Sequence, residues 1–240
     1  MVENNGMLDW RKFNVSQKNA YLKIRYLADF EEIFMPYLRE ILCEHKIINS
    51  MKSLNHSEAN NVYEFCESDD SMVFMKVGNF LRFGSEIEFF FQEYFMEKQN
   101  ITDEKDLKEH LKSLNPGYSG NIFYRVLPGN NPGIKTLMEL YQTELKINLY
   151  SYPEFAAVQE YYIHRHFFTH RTGIVDRKYL KNIEFVLGKK KRKEIESSIA
   201  KKSANKKYNT ARVLWFGPVE GKDYFNILNR TCQLILSLPK

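Results

Sequence analysis

The sequence predicts an all-α fold, a helical bundle with extra helices and a basic insertion near its C-terminal end. Apolar residues recur every three or four positions along several long segments, as on one face of an α-helix. Glycine and proline gather at a few turns between these segments. Apolar residues make up 43% of the 240 residues, so we expect one domain over 1–240, with its core at 18–187 and 222–238.

Two long helices are predicted in the first hundred residues. From 18 to 48, apolar residues beginning with Leu22 recur at helical spacing and form one amphipathic face. A second helical region runs from 72 to 99. Gly78 and Gly84 weaken it, because a glycine inside a helix costs about 1 kcal/mol relative to alanine. Two shorter helices are therefore an alternative to one long helix.

Shorter helices are predicted in the middle of the chain. Thr102 precedes several acidic residues, so it can cap the start of a helix that ends at 115–117. The segment 128–133 contains two Pro-Gly pairs and predicts a turn. We expect a helix at 134–149 after this turn.

The next helix is predicted from a capping box. Ser151 and Glu154 have the S-x-x-E spacing, and Tyr150 and Phe155 occupy the flanking apolar positions of a hydrophobic staple. Gly173 is expected to end this helix, since glycine is favoured just after a helix C-terminus. The helix therefore carries the densest group of histidines in the chain.

The C-terminal third is predicted to hold two helices separated by a basic loop. Asp176 can cap a helix at 177–187, which Gly188 would stop. A basic loop at 188–209 follows, then a short β element at 210–216 and a final helix that ends near residue 238.

The positive charge of the chain is concentrated in one segment. Nine basic and two acidic residues lie between 189 and 207, a local charge of +7. The whole chain carries +5, so the remaining residues sum to −2. A local basic segment is typical both of a polyanion-binding surface and of a solvated loop.

Composition predicts a cytoplasmic protein that does not span a membrane. The three cysteines are an odd number without C-x-x-C spacing, which favours a reducing compartment over a disulfide framework. Residues 1–11 lack the apolar core of a signal peptide. The most apolar stretch, 74–96, is interrupted by five charged residues.

Three of the six histidines, His164, His166 and His170, lie within seven residues of one another, next to Arg165 and Arg171. Histidine can gain or lose a proton near neutral pH, and arginine presents a fork of donors suited to phosphate. One interpretation is therefore acid–base chemistry on a phosphodiester.

Two other interpretations stay open at this point. In a structural interpretation, His164 and His166 lie on the surface and His170 is hydrogen-bonded at the helix end, where its cation meets the helix dipole. In a metal interpretation, His166 and His170 share a helix face and need a third ligand, such as Glu160.

The helical wheel limits the phosphodiester interpretation. Arg165 lies about 140° from His170 on the wheel of an ideal helix. Their side chains are therefore expected to meet on one phosphate only if the helix unwinds before His170, or if a second subunit supplies the missing partner.

The sequence around these residues resembles a known signature. Arg165 is followed at once by His166 and, five positions on, by His170; a Gly-Ile-Val-Asp turn at 173–176 and a Tyr-Leu pair complete the run. This run resembles the motif of HEPN domains, an all-α superfamily found in many bacterial defence and toxin systems. Thr172 stands where many toxins of the family carry a tyrosine, so control by modification of that tyrosine is not expected.

The resemblance implies a metal-independent, homodimeric endoribonuclease without a cofactor, of the toxin or antiviral defence type. Arg165 would stabilise the charge on the phosphorane, His170 would move a proton, and His166 would orient the phosphate or tune His170. The products would be a 2′,3′-cyclic phosphate and a 5′-hydroxyl. RNA and a second copy of the chain are the expected partners, and an antitoxin or regulatory partner would control the activity.

Basic residues outside the motif are candidates for holding the RNA backbone, with solvated side chains as the alternative. They are Arg171, Lys189, Lys190, Lys191, Arg192 and Lys193.

Two alternative functions remain. One is a non-catalytic HEPN module for dimerisation or for binding a nucleotide or RNA, and the other is a metalloprotein that uses His166 and His170. Residues 55–133 carry no functional prediction.

Overall fold

The all-α prediction is confirmed in a computed structural model of the chain, which describes residues 8–30, 33, 69–116, 118, 122–127, 135–171, 175–203 and 221–240. These residues contain α-helices and shorter helical turns, and no strand. The α-helices are α1 Val15–Asp29, α2 Asp69–Gln99, α3 Glu104–Leu114, α4 Leu137–Leu140, α5 Phe155–Arg171, α6 Arg177–Ser203 and α7 Gly221–Ser237.

Four of these helices pack around one core. Helix α1 contacts α2 and α7, and α5 contacts the same two helices, so the four close a ring around a shared apolar interior. The interior is rich in aromatic rings; Tyr161 lies 4.7 Å from Phe80 and 4.9 Å from Phe83, centroid to centroid. Helix α6 packs on the outer side of α5 over a smaller apolar cluster that includes Phe167 and Ile183.

Polar contacts between α1, α2 and α7 fix how the ring closes. The buried Gln17 amide donates to the carbonyls of Ile235 and Leu238, at 2.7 and 2.9 Å, and so satisfies acceptors at the end of α7. The Glu97 carboxylate of α2 accepts from the backbone amides of Val15 and Ser16 at the start of α1. The start of α1 and the end of α7 are thus each contacted by a side chain from a neighbouring helix.

The first two predicted helices differ from the observed ones. Helix α1 ends at Asp29, and 34–48 lies outside the described residues. Leu22, predicted on the buried face, is 56% exposed, because α1 turns Ala20 and Ile24 towards the core instead. Helix α2 is continuous, so the alternative of two shorter helices is wrong.

The predicted caps in the middle of the chain are displaced. Asp103, and not Thr102, caps α3, since its carboxylate accepts from the amides of Lys105 and Asp106 at 2.8 Å. As predicted, α3 stops before Asn115, which is its C-cap residue.

The helix predicted at 134–149 is shorter and less regular than expected. The α-helical part, α4, is followed by a π-helical turn at Tyr141–Leu145, which ends at Lys146 with φ 58°. A 3-10 turn at Leu149–Ser151 then leads towards α5.

The capping box predicted at Ser151 is wrong. Ser151 lies in the 3-10 turn and donates to the carbonyl of Asn148 at 2.7 Å, while α5 begins only at Phe155. The staple contact nevertheless forms, because the rings of Tyr150 and Phe155 lie 5.9 Å apart. The motif therefore located the start of the helix to within four residues but assigned the wrong cap.

The C-terminal predictions are partly confirmed. Asp176 caps α6 and accepts from the amide of Tyr179 at 2.7 Å. Gly188 interrupts α6 with φ 84° and ψ 169°. The prediction of a loop from 188 is wrong as far as Ser203, because the chain is helical again after the glycine; 204–209 and the β element predicted at 210–216 lie outside the described residues.

None of the helices described here is long and apolar enough to cross a membrane.

Candidate functional site

One wall of a surface cavity is formed by a single stripe of α5. Five side chains at positions i, i+3, i+4, i+7 and i+8 line it: Tyr162, Arg165, His166, Thr169 and His170. Helix α5 continues to Arg171 without unwinding. Arg165 and His170 lie at opposite edges of the stripe, yet both border the same cavity of about 330 Å³ within one chain.

The other walls come from α6 and from the segment before α4. Lys178 and Asn182, one turn apart on α6, line one side, and Tyr124, Arg125, Leu127 and Thr136 line the other. Asp176 fixes the start of α6 through its cap, and the amide of Leu137 donates to the carbonyl of Arg125 at 3.1 Å. The cavity therefore lies between α5, α6 and the segment before α4.

The lining of this cavity is positively charged. Among the described residues that line it are three cationic side chains, Arg125, Arg165 and Lys178, and no carboxylate. In the described part of the chain, neither Arg125 nor Lys178 has an ion-pair partner. Positive charge that is concentrated in a concave surface favours an anionic ligand.

Arg165 is held by an acid from α2. Its Nη1 lies 2.8 Å from Oε1 of Glu88, and its guanidinium lies 5.8 Å from the centre of the Tyr162 ring. The Tyr162 hydroxyl donates to the same carboxylate oxygen at 3.4 Å. Burial raises the pKa of Glu88 above its usual value, while Arg165 and the Tyr162 hydroxyl act in the opposite direction.

His166 and His170 form a pair of exposed rings. Their centroids are 4.6 Å apart, as expected for residues one turn apart on a helix. The described residues contain no group of three or more histidines, cysteines, aspartates and glutamates that could hold a metal ion. Glu160, the third ligand considered for a metal, instead lies near His164, with 3.6 Å between its Oε1 and Nε2 of the ring.

His164 is not the surface residue that the structural interpretation assumed. It is 1% exposed, and its Nδ1 lies 2.9 Å from the hydroxyl of Tyr179 on α6. Burial lowers the pKa of His164, and the neighbouring Glu160 opposes that shift. His164 therefore joins α5 to α6 and does not line the cavity.

The five predicted RNA-binding cations on α6 do not line the cavity. Arg192 pairs with Glu184 at 2.6 Å and with Glu196 at 2.9 Å, and Lys191 pairs with Asp223 at 3.1 Å. Lys189, Lys190 and Lys193 are exposed on the second part of α6. The side chain of Arg171 lies outside the described part of the structure.

Sequence reasoning missed Glu88, Tyr124, Arg125 and Asn182 as neighbours of the site. Glu88 was visible only as one of the charges that interrupt an apolar stretch. Arg125 stands alone in a region without a motif, and only the fold brings it opposite α5. Lys178 lies within the run that resembles the HEPN signature, but nothing in that run distinguishes it from other exposed lysines.

No protein-family model, curated protein or solved structure matches the chain.

Proposed function

We propose that the chain is a metal-independent endoribonuclease of the HEPN type, with its reaction centre in the cavity on α5. The observation that carries the proposal is that Arg165, His166 and His170 line one cationic cavity, where no carboxylate of the described residues joins them. Such a lining suits a phosphodiester, since guanidinium groups stabilise phosphoryl oxygens and imidazoles transfer protons.

The proposed reaction is an internal transesterification of RNA. The ribose 2′-oxygen attacks the adjacent phosphorus, and the bond from phosphorus to the leaving 5′-oxygen breaks. His170 accepts the proton of the 2′-hydroxyl or supplies one to the leaving oxygen, with water as its counterpart for the other transfer. Arg165 stabilises the negative charge of the phosphorane, and His166 orients the phosphate or tunes His170. The products are a 2′,3′-cyclic phosphate and a 5′-hydroxyl.

The resemblance that supports this proposal also suggests its biological setting. An endoribonuclease of this kind would act as a toxin or antiviral effector, as a homodimer, under control of an antitoxin or regulatory partner. Light scattering of the purified chain tests the homodimer separately from the reaction. A monomer that still cleaves RNA would contradict the homodimer but not the endoribonuclease.

Cleavage of single-stranded RNA in excess EDTA tests the reaction. We expect the wild type to cleave, and His170→Ala to lose about 10²–10⁴-fold in rate, the usual contribution of a general acid or base. Arg165→Gln should lose about 10²-fold or more, as expected for a group that stabilises developing charge. His110→Gln, a histidine on α3 that does not line the cavity, is the matched control. Equal cleavage by wild type and His170→Ala would reject the assignment.

A second candidate is a module that binds a nucleotide or RNA without cleaving it. The Arg165–Glu88 pair favours this reading, because a guanidinium that is already neutralised by a carboxylate is less available to a phosphorane. A wild type that binds RNA tightly but never cleaves it in EDTA, or with added divalent ions, would favour this candidate over the first.

A further inference from the structure

The cavity carries more positive charge than a single scissile phosphate uses. Arg165 on the α5 wall is assigned to that phosphate in the proposed reaction. Arg125 and Lys178 lie on two other walls and remain unassigned. The additional charge therefore points to a further anionic group of the same ligand.

Arg125 and Lys178 differ from Arg165 in their surroundings. Arg165 is bound to Glu88 at 2.8 Å, whereas no carboxylate of the described residues pairs with either of the other two cations. Arg125 is partly buried, and its backbone is fixed by two hydrogen bonds, from its amide to the carbonyl of Ile122 and from the amide of Leu137 to its carbonyl. A cation that has no ion pair within the chain does not need to break one when it binds a phosphate, so little favourable interaction is lost on binding.

Lys178 reaches the same cavity from α6. Lys178 is exposed and is the second residue of α6, whose start is fixed by the Asp176 cap. Asn182, one turn further on, also lines the cavity and adds a neutral polar group. The two cations therefore approach the cavity from different elements, as expected for side chains that hold one anion between them.

We propose that Arg125 and Lys178 form a second phosphate-binding position, which takes the phosphate next to the scissile one. The identity of the ligand as RNA rests on the proposed function, but the second position itself does not require catalysis. A strand with two phosphates then binds more tightly than a strand with one, because both phosphates meet cations in the same cavity.

Binding of two uncleavable oligonucleotides tests this position. A 2′-O-methyl dinucleotide has one internal phosphate and the corresponding trinucleotide has two, and neither has the 2′-hydroxyl that cleavage needs. We expect the trinucleotide to bind the wild type about tenfold more tightly. Its plot of log affinity against log salt concentration should be steeper by about 0.7, the value for one added contact to a single-strand phosphate.

Arg125→Gln and Lys178→Gln should each remove most of this gain, because each weakens binding of the trinucleotide more than binding of the dinucleotide. Lys181→Gln, an exposed cation of α6 that does not line the cavity, is the matched control and should keep the gain. Thermal melting of each variant verifies its folding, and the exposed Lys178 keeps the test valid if Arg125→Gln is poorly folded.

The proposal is overturned if the wild type binds both oligonucleotides equally, or if the gain survives in both cavity variants. These results are distinguishable from failure of the proposed function, which is read from cleavage of unmodified RNA. If the protein binds the trinucleotide more tightly but never cleaves RNA, the second phosphate-binding position is supported and the proposed reaction is rejected.

Discussion

The carboxylate of Glu88 on α2 lies 2.8 Å from the guanidinium of Arg165 on α5, and so the chain itself neutralises the arginine of its candidate site. Glu88 is not among the residues that line the cavity, but its carboxylate pairs with Arg165 and also accepts a hydrogen bond from the Tyr162 hydroxyl. The pair therefore has two opposing effects on a phosphate ligand. It orients the guanidinium, and it competes for the same charge.

Replacing Glu88 with glutamine separates these two effects. If competition dominates, as we expect, Glu88→Gln tightens binding of the 2′-O-methyl dinucleotide by about fivefold, the equivalent of about 1 kcal/mol. Glu86→Gln, on the same helix but paired with Lys23 at 3.3 Å, is the control and should leave binding unchanged. Weakening as large as that caused by Arg165→Gln would show instead that Glu88 is needed to position the arginine.

Gly84→Ala tests how closely α2 and α5 pack. A Cβ atom at this position would lie 2.9 Å from Cζ of the Tyr161 ring, whose hydroxyl donates to the carbonyl of Phe80 at 3.1 Å. Because both groups are fixed in the core, we expect the free energy of unfolding to fall by about 2 kcal/mol. Chemical denaturation measures the loss. Gly78→Ala is the matched control, since no described heavy atom beyond its chain neighbours and its own helix backbone lies within 4 Å of the new Cβ. It should be neutral or stabilising by up to about 1 kcal/mol.

Gly188→Ala tests the break within α6. The backbone there has φ 84° and ψ 169°, a conformation that is nearly restricted to glycine. We expect a loss of about 1–2 kcal/mol in unfolding free energy, although the surroundings of the new Cβ are open. Thermal or chemical denaturation measures this loss. An unchanged stability would mean that the interruption of α6 at Gly188 does not depend on this backbone conformation.

Stability should fall on acidification because of His164. Burial lowers its pKa in the folded chain below 6.5, so the unfolded chain binds the proton more readily. The destabilisation therefore begins as pH falls below about 6.5 and grows until the folded-state pKa is reached. Denaturation at pH 7 and pH 5 measures it, and His164→Gln should show a smaller loss than wild type. Tyr179→Phe, which keeps the buried histidine, should retain the dependence on pH; equal losses in wild type and His164→Gln would contradict this assignment.

The sequence predicted those parts of the structure that depend on local signals. The all-α class followed from helical periodicity, and the Asp176 cap and the Gly188 break followed from the residues at those positions. The exposed face of α1 could not be predicted, because both of its faces carry apolar residues and only packing on α2 and α7 selects between them. The sequence also predicted Ser151 as the cap of α5, but the Ser151 hydroxyl instead donates to the carbonyl of Asn148 in the preceding 3-10 turn.

The candidate site likewise contains some residues that local signals predict and others that they do not. Its α5 stripe could be predicted, since Arg165, His166 and His170 are close in sequence and share a helix. The wheel places Arg165 and His170 about 140° apart, yet both line the cavity, because a cavity wall spans more than one line of a helix. Glu88 and Arg125 reach the site only through tertiary packing, from positions about 77 and 40 residues before Arg165, and no local pattern encodes such contacts.

The most direct test of the proposed reaction is cleavage of an RNA in which the 2′-hydroxyl is removed from one nucleotide at the principal cleavage site. The reaction needs that hydroxyl as its nucleophile, so in EDTA the wild type should cleave the unmodified strand to a 2′,3′-cyclic phosphate and leave the 2′-deoxy position intact. Cleavage at the deoxy position at the normal rate, or products that carry a 5′-phosphate, would contradict the account.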